Sequence, residues 1–234
     1  MGLRSIRCGV ALLIVFAGVP ALAAEQQYSV THFDTVRMQV PFRVIISTGK
    51  GNSGRGEGER DALDRVSLDV SGGVLTIRAK PDRFGQEKRN PGRVTLYLTT
   101  AAVRRVVMGG NGALQIDGMK GVRGELSLAG NGDLDVSGVA LDHLIVNSAG
   151  GGRIRMAGQA GDARIQVIGA GSIEAPGLTA KTLNIISQGP GSITLTATGT
   201  AEVTVNGSSD VIVLGDPACT VHQAGSGQVL CGDR

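Results

Sequence analysis

The chain has 234 residues, 37 of them Gly, with 41% hydrophobic residues, only 3% aromatic ones and a formal net charge of +3. Collagen is excluded, because Gly does not fall at every third place, and so is flexible low complexity, because apolar residues alternate regularly between the glycines. No run of like charge is long enough to grip nucleic acid, and the length suits one domain or one elongated array with a continuous core.

Residues 1–23 read as a signal peptide. Arg4 and Arg7 give a positive start, Cys8 to Val19 is almost wholly apolar, and Ala21-Leu22-Ala23 places small residues before a cut expected after Ala23. The apolar run is shorter than the about 20 residues a spanning helix needs. A retained anchor is the competing reading. The expected product is exported, periplasmic first and surface or extracellular second, with no transmembrane segment after cleavage. Its net charge drops to about +1, because the leader takes two of the 23 basic residues and none of the 20 acidic ones.

Residues 24–234 then read as one all-β unit, irregular over 28–100 and regularly repeating over 101–234. Val44-Ile45-Ile46, Val66 to Val70 and Val74 to Ile77 have strand character, with Ser71-Gly72-Gly73 as a hairpin turn. Gly49 to Gly58 and Lys80 to Gly92 read as surface loops. Gly49-Lys50-Gly51-Asn52-Ser53-Gly54 matches a dinucleotide-binding glycine pattern, but Arg55-Gly56-Glu57-Gly58 after it is too rich in Gly to open the helix that pattern requires. Phe33 and Phe42 read as core.

From residue 101 a Gly-x-Gly beat returns about every twenty residues. It runs Gly110 and Gly112, Gly130 and Gly132, Gly150 and Gly152, Gly169 and Gly171, Gly189 and Gly191, then a degenerate Gly207-Ser208-Ser209, and ends at Gly225-Ser226-Gly227. Segments between these corners alternate polar and apolar, the period-two signature of strands with one buried face. Three inward columns follow: Leu114, Leu134, Ile154, Ile173, Ile193, Val211 and Val229; Ile116, Val136, Met156, Ala175, Leu195, Val213 and Cys231; and Leu126, Val146, Ile165, Ile185, Val203 and Val221. One coil cannot bury its apolar face alone, so the coils stack. The expected fold is a right-handed parallel β-helix, or close β-solenoid, with ~20-residue coils from about Val94 onward. The irregular strands are expected to begin the stack and cap it.

Cys219 and Cys231 fall on the last coil on opposite sides of its corner. In an exported chain such a pair reads as a disulfide that seals the end of the stack, with metal ligation or a reactive thiol pair as the competing reading.

No motif carries catalysis, and neither cofactor nor metal is expected. Asn131-Gly132-Asp133 lacks the nine-residue period of calcium-binding rolls. His32, His143 and His222 show no ligand spacing. Asp133, Asp135, Arg153 and Arg155 stand outward on adjacent coils, which suits surface charge pairing, with no third partner in line to build a site. There is no Phe, Tyr or Trp from Ala101 to Arg234, so ring stacking on sugars or bases has no platform there.

Phe33-Asp34-Thr35-Val36, Phe42-Arg43-Val44 and Gly72-Gly73-Val74-Leu75-Thr76-Ile77, together with the Gly-Asn-Gly repeats and the closing Gly215-Asp216-Pro217-Ala218-Cys219, resemble the head domain of auto-transporter adhesins, the GIN domain. The resemblance spans essentially the whole chain after residue 23. It implies a secreted or envelope β-helical protein with an adhesin-like role and supplies no catalytic residue. The expected function is a non-enzymatic binding or scaffold module for an unknown protein or glycan of the envelope. The alternatives are a polysaccharide-acting enzyme and a self-associating structural module, a homo-oligomer in that case.

Overall fold

The computed structural model describes residues 24–80 and 92–232. The signal peptide expected over residues 1–23 and most of the loop expected between Lys80 and Gly92 lie outside the described residues. The N-terminal part carries β1 (Ala24–Tyr28), β2 (Thr35–Met38), β3 (Arg43–Thr48), β4 (Ser53–Gly58), a short helix α1 (Arg60–Leu63), β5 (Val66–Ser71), β6 (Val74–Ala79) and β7 (Val94–Thr100). The repeats supply β8 (Arg105–Gly110), β9 (Ala113–Ile116), β10 (Met119–Gly130), β11 (Asp133–Gly150), β12 (Arg153–Ile168), β13 (Ser172–Gly189) and β14 (Ser192–Gly207). The last strands are β15 (Asp210–Leu214), β16 (Ala218–Ala224) and β17 (Val229–Cys231).

These strands build a β-solenoid of about six turns with ~20-residue coils. Its walls are ladders of parallel strands. One wall runs β6, β2, β8, β10, β11, β12, β13, β14, β16, and a second runs β7, β3, β9, β11, β12, β13, β14, β15, β17. The long strands β10 to β14 bend through corners to supply a third wall, in which Met119 pairs with Val139 and Gly158 with Leu178. Ladder registers slip at the corner into this wall, between Val136 and Val139 and between Arg155 and Gly158, where irregularities let the chain turn.

The apolar columns close in register. Leu114 pairs with Leu134, Leu134 with Ile154, Ile154 with Ile173, Ile173 with Ile193 and Ile193 with Val211, and each of these side chains is at most 1% exposed. The column continues past the repeats through Val44 to Leu96. Phe33 and Phe42 are buried in the same core. The columns end at the last coil, where Val221 is 42% exposed because no further coil covers it.

The irregular strands do join the stack, but chain order and stack order differ. β2 lies between β6 and β8, and β3 between β7 and β9, all parallel. The coil made first in the chain is therefore inserted between two coils made later. Backbone bonds from Arg104 N to Asp34 O (2.7 Å) and from Asp34 N to Gly73 O (3.0 Å) hold the insertion on both sides. The outer end is finished by antiparallel strands: β5 folds back on β6 through Gly72-Gly73 (φ +55° and +78°), and β1 and β4 cover β7.

The loop expected over Gly49 to Gly58 is in its second half the strand β4. Gly54 and Gly56 face inward, and a Cβ there would come 2.7 Å from Val30 Cγ2 and 2.9 Å from the Tyr28 ring. Glycine in this strand makes room for neighbouring side chains rather than breaking the strand. The helix after it has four residues, so no dinucleotide-binding turn is formed.

Candidate functional site

Glycines set how closely successive coils approach, and the two in each corner act differently. The first has a positive φ: Gly110 +87°, Gly130 +121°, Gly150 +116°, Gly169 +110° and Gly189 +118°. The second, Gly112, Gly132, Gly152, Gly171 or Gly191, lacks a positive φ but sits against backbone below it. A Cβ on Gly132 would lie 2.7 Å from Gly112 O, and one on Gly191 2.6 Å from Gly171 O. Close stacking makes each outward row a straight ladder with rungs about 4.8 Å apart.

Two such rows flank a trough of about 820 Å³ along the corner between the third wall and the β8 to β16 wall. On one side stand Arg123, His143, Asp162, Thr182, Thr200 and Ala218, each in register with the next. On the other stand Ile145, Arg164, Asn184, Glu202 and Thr220. The floor is the small or aliphatic column Leu144, Ala163, Leu183, Ala201 and Cys219. Five rungs give a trough on the order of 20 Å long.

Cross-rung contacts order part of this lining. His143 Nδ1 lies 3.0 Å from Asp162 Oδ2, and Asn184 Nδ2 donates to Glu202 Oε2 at 2.9 Å. Both trough carboxylates are thus engaged by the preceding rung. Arg123 and Arg164 make no ion pair among the described residues, and Thr182 and Thr200 follow Arg164 on the next two rungs. The trough offers guanidinium, hydroxyl and amide groups to a partner, on a surface without Phe, Tyr or Trp.

A second row of charges lies on another wall. Arg153 reaches Asp133 at 3.6 Å and Glu174 at 3.0 Å, while Arg155 Nε donates to Glu174 Oε2 at 3.2 Å. The third partner that the sequence reading did not see is therefore Glu174, which bridges two arginines on the rung below. It completes a charge ladder in which all four groups are about half exposed. Such contacts tie neighbouring coils together weakly. Asn131 has a similar place, its Oδ1 accepting from Gly151 N at 3.2 Å.

Cys219 and Cys231 form a disulfide with 6.5 Å between Cα atoms, joining β16 to β17 across the last coil. No group of three or more His, Cys, Asp or Glu positioned to hold a metal ion occurs among the described residues.

The trough residues were not singled out as a set from the sequence. Twenty-residue spacing and outward alternation align them in two rows, yet only the corner angle shows that the rows face each other across a concavity.

The family model described as "Putative auto-transporter adhesin, head GIN domain" matches residues 32–217. No curated protein matches the chain significantly. Among solved structures it is similar to a putative adhesin from Bacteroides fragilis, with 22% identity, 91% of this chain and 98% of that one covered, and a TM-score of 0.81. A putative lipid binding protein from Parabacteroides distasonis is 20% identical over 92% and 98% of the two chains, with a TM-score of 0.70. A putative adhesin from Parabacteroides merdae is 18% identical over 92% and 98%, with a TM-score of 0.64. At these identities the likeness is one of fold.

Proposed function

We propose that this chain, which belongs to the auto-transporter adhesin head GIN domain family, is an exported, non-enzymatic binding module whose trough holds an extended hydrophilic polymer, a glycan of the cell envelope. The observation that carries this reading is the repetition of donors along the trough. A chain laid parallel to the stack axis meets a hydroxyl, amide or guanidinium group at each rung except that of His143 and Ile145, which offers an imidazole, at a spacing fixed by the ladder itself. Cleaving a glycosidic bond needs two carboxyl groups flanking one bond. Asp162 and Glu202 stand in different rows, two coils apart, each held by its own neighbour. This favours holding a glycan over cutting it.

Export rests on the N-terminal sequence. No helix among the described residues is long and apolar enough to cross a membrane, and the periplasm is the proposed compartment. Protease shaving of intact cells checks it: protection until the outer membrane is opened supports the periplasm, and cleavage on whole cells moves the module to the surface.

An array of envelope polysaccharides probed with the wild type, Arg164→Ala and Asn184→Ala tests the trough. Loss of one charge-assisted hydrogen bond lowers affinity about tenfold or more. Retention of wild-type binding in both variants rejects the trough as the site. New reducing ends or unsaturated sugars would identify a polysaccharide-cleaving enzyme instead.

A further inference from the structure

The two ends of the stack are finished differently. At the outer end β5 lies antiparallel on β6 and β4 on β7, with β1 antiparallel on β4, and α1 buries Ala62 and Leu63. At the other end, among the described residues, β16 pairs only with β14, and β17 only with β15. Every residue of β16 is exposed, including Val221, although Val203 directly beneath it in the same inward column is fully buried.

An open strand edge recruits other strands unless charge, Pro or a bulge blunts it, or something covers it. β16 reads Ala-Cys-Thr-Val-His-Gln-Ala, with no Lys, Arg, Asp, Glu or Pro, and pairs with β14 over seven residues without a bulge. The disulfide ties this edge to β17 and leaves its outer hydrogen-bonding side open. The edge at the far end is different. β1 carries Glu25, which pairs with Arg55, and β5 carries Asp69.

We infer that a second copy of this chain covers the β16 edge, strand against strand and antiparallel, centred on Val221. A two-fold axis normal to this wall at Val221 sets Val221 on Val221, Thr220 opposite His222, Cys219 opposite Gln223 and Ala218 opposite Ala224. Inward residues stay inward, so the two cores meet at Val221, flanked by Cys219 opposite the inward Gln223, whose amide donates to Gly227 O of its own chain, and outward Thr220 meets His222 with no like charges opposed. The contact is isologous and closes at two copies. A head-to-tail array would instead set β16 on the acid-bearing β5 and would not close. Only one coil end is covered, so the interface falls below the standard size and the dimer is a reversible one. Ala218, Cys219 and Thr220 of β16 also close one end of the trough, but the strand pairing does not depend on what binds there.

Sedimentation velocity on a dilution series of the oxidised protein tests it, with amide hydrogen exchange at the two concentration extremes. The expected result is a monomer–dimer equilibrium in which amides of Ala218–Ala224 gain protection at high concentration and those of β1 and β5 do not. Val221→Lys places two ammonium groups together at the axis and is expected to stay monomeric with an unchanged far-ultraviolet spectrum. Thr220→Lys combined with His222→Glu creates two cross-copy ion pairs in this register alone. That double variant is expected to dimerise more tightly at low salt than at high salt, and it decides the matter even where Val221→Lys does not fold. A wild type monomeric at every concentration, a Val221→Lys dimer, protection gained at β5, or a double variant without salt dependence overturns the inference.

Discussion

The Ser187 hydroxyl donates to Ser209 Oγ at 2.7 Å, Ser209 Oγ donates to Gly189 O at 2.6 Å, and both serines are fully buried. Ser209 occupies the corner place held by a glycine in the other coils, and its hydroxyl gives the inward Ser187 an acceptor inside a mostly aliphatic interior. A buried donor left without a partner costs about 1–3 kcal/mol. Ser209→Ala is therefore expected to lower stability by about that amount. Ser187→Ala removes the donor while Ser209 keeps its bond to Gly189 O, and is expected to cost less than Ser209→Ala. Urea unfolding of both variants checks the pair. A Ser187→Ala loss as large as that of Ser209→Ala would show that packing, not hydrogen bonding, governs this corner.

The two glycines of a corner predict two different penalties. Gly110 has φ +87° with nothing within 4 Å of a built Cβ, so Gly110→Ala meets only backbone strain, about 1–2 kcal/mol. Gly152 has no positive φ, but its Cβ would lie 2.7 Å from both Gly132 O and Leu128 Cδ2. Gly152→Ala must push two coils apart and is expected to cost more, about 2–3 kcal/mol. Thermal midpoints of the two variants rank them, and a Gly110→Ala loss equal to or above that of Gly152→Ala contradicts the close-approach explanation.

Much of the stack could be read from the sequence because its columns repeat: Leu134, Ile154, Ile173 and Ile193 announce both the alternation and the coil length. Other features depend on contacts that no period reports. Alternation puts Val36 and Val106 on inward faces, but it does not say that β2 slips between β6 and β8. Gly54 and Gly56 resemble loop residues until Val30, Tyr28 and Leu63 are seen to need the space above them. Glu174 is outward by alternation, while its reach to both Arg153 and Arg155 depends on how long side chains lie across two rungs. The trough is the same kind of case, since its rows are written in the chain and its concavity is not.

Asp34 ties the inserted coil to its neighbour and gives the fold a pH dependence. Partial burial pushes its carboxyl upward. The Arg104 guanidinium, the Thr35 hydroxyl (3.0 Å) and the charge of His32 outweigh this and hold the group below the usual carboxylate range. A carboxylate whose pKa is lower folded than unfolded adds stability that is fully present above the unfolded value. That stability is lost as pH falls through the folded value. Thermal midpoints are therefore expected to fall below about pH 4, the ordinary value for Asp. Asp34→Asn removes this share of the fall and lowers the midpoint at neutral pH. An acid profile unchanged by Asp34→Asn rules the contact out as a contributor.

Ile154 and Arg155 are adjacent in the chain and point to opposite sides of the wall, so the same substitution at each reads the register. Ile154 is fully buried between Leu134 and Ile173. Ile154→Asp sets a carboxylate among aliphatic groups with no partner, and the stack is expected not to form around it. Arg155 is in register with Asp135 and Glu174, so Arg155→Asp is not simply a lost ion pair. It lines up three carboxylates on successive rungs, whose repulsion at an exposed site amounts to about 1 kcal/mol or less and is screened by salt. Arg155→Asp is expected to fold, to melt slightly below the wild type at low ionic strength and to recover most of the difference at high ionic strength. Arg155→Gln, which removes the cation without adding a charge, is expected to fall between the two and to respond less to salt. Equal tolerance of Asp at both positions would break the assignment of Ile154 to the core. A salt-independent loss in Arg155→Asp would mean that Arg155 stabilises the wall through its aliphatic stem rather than through its charge.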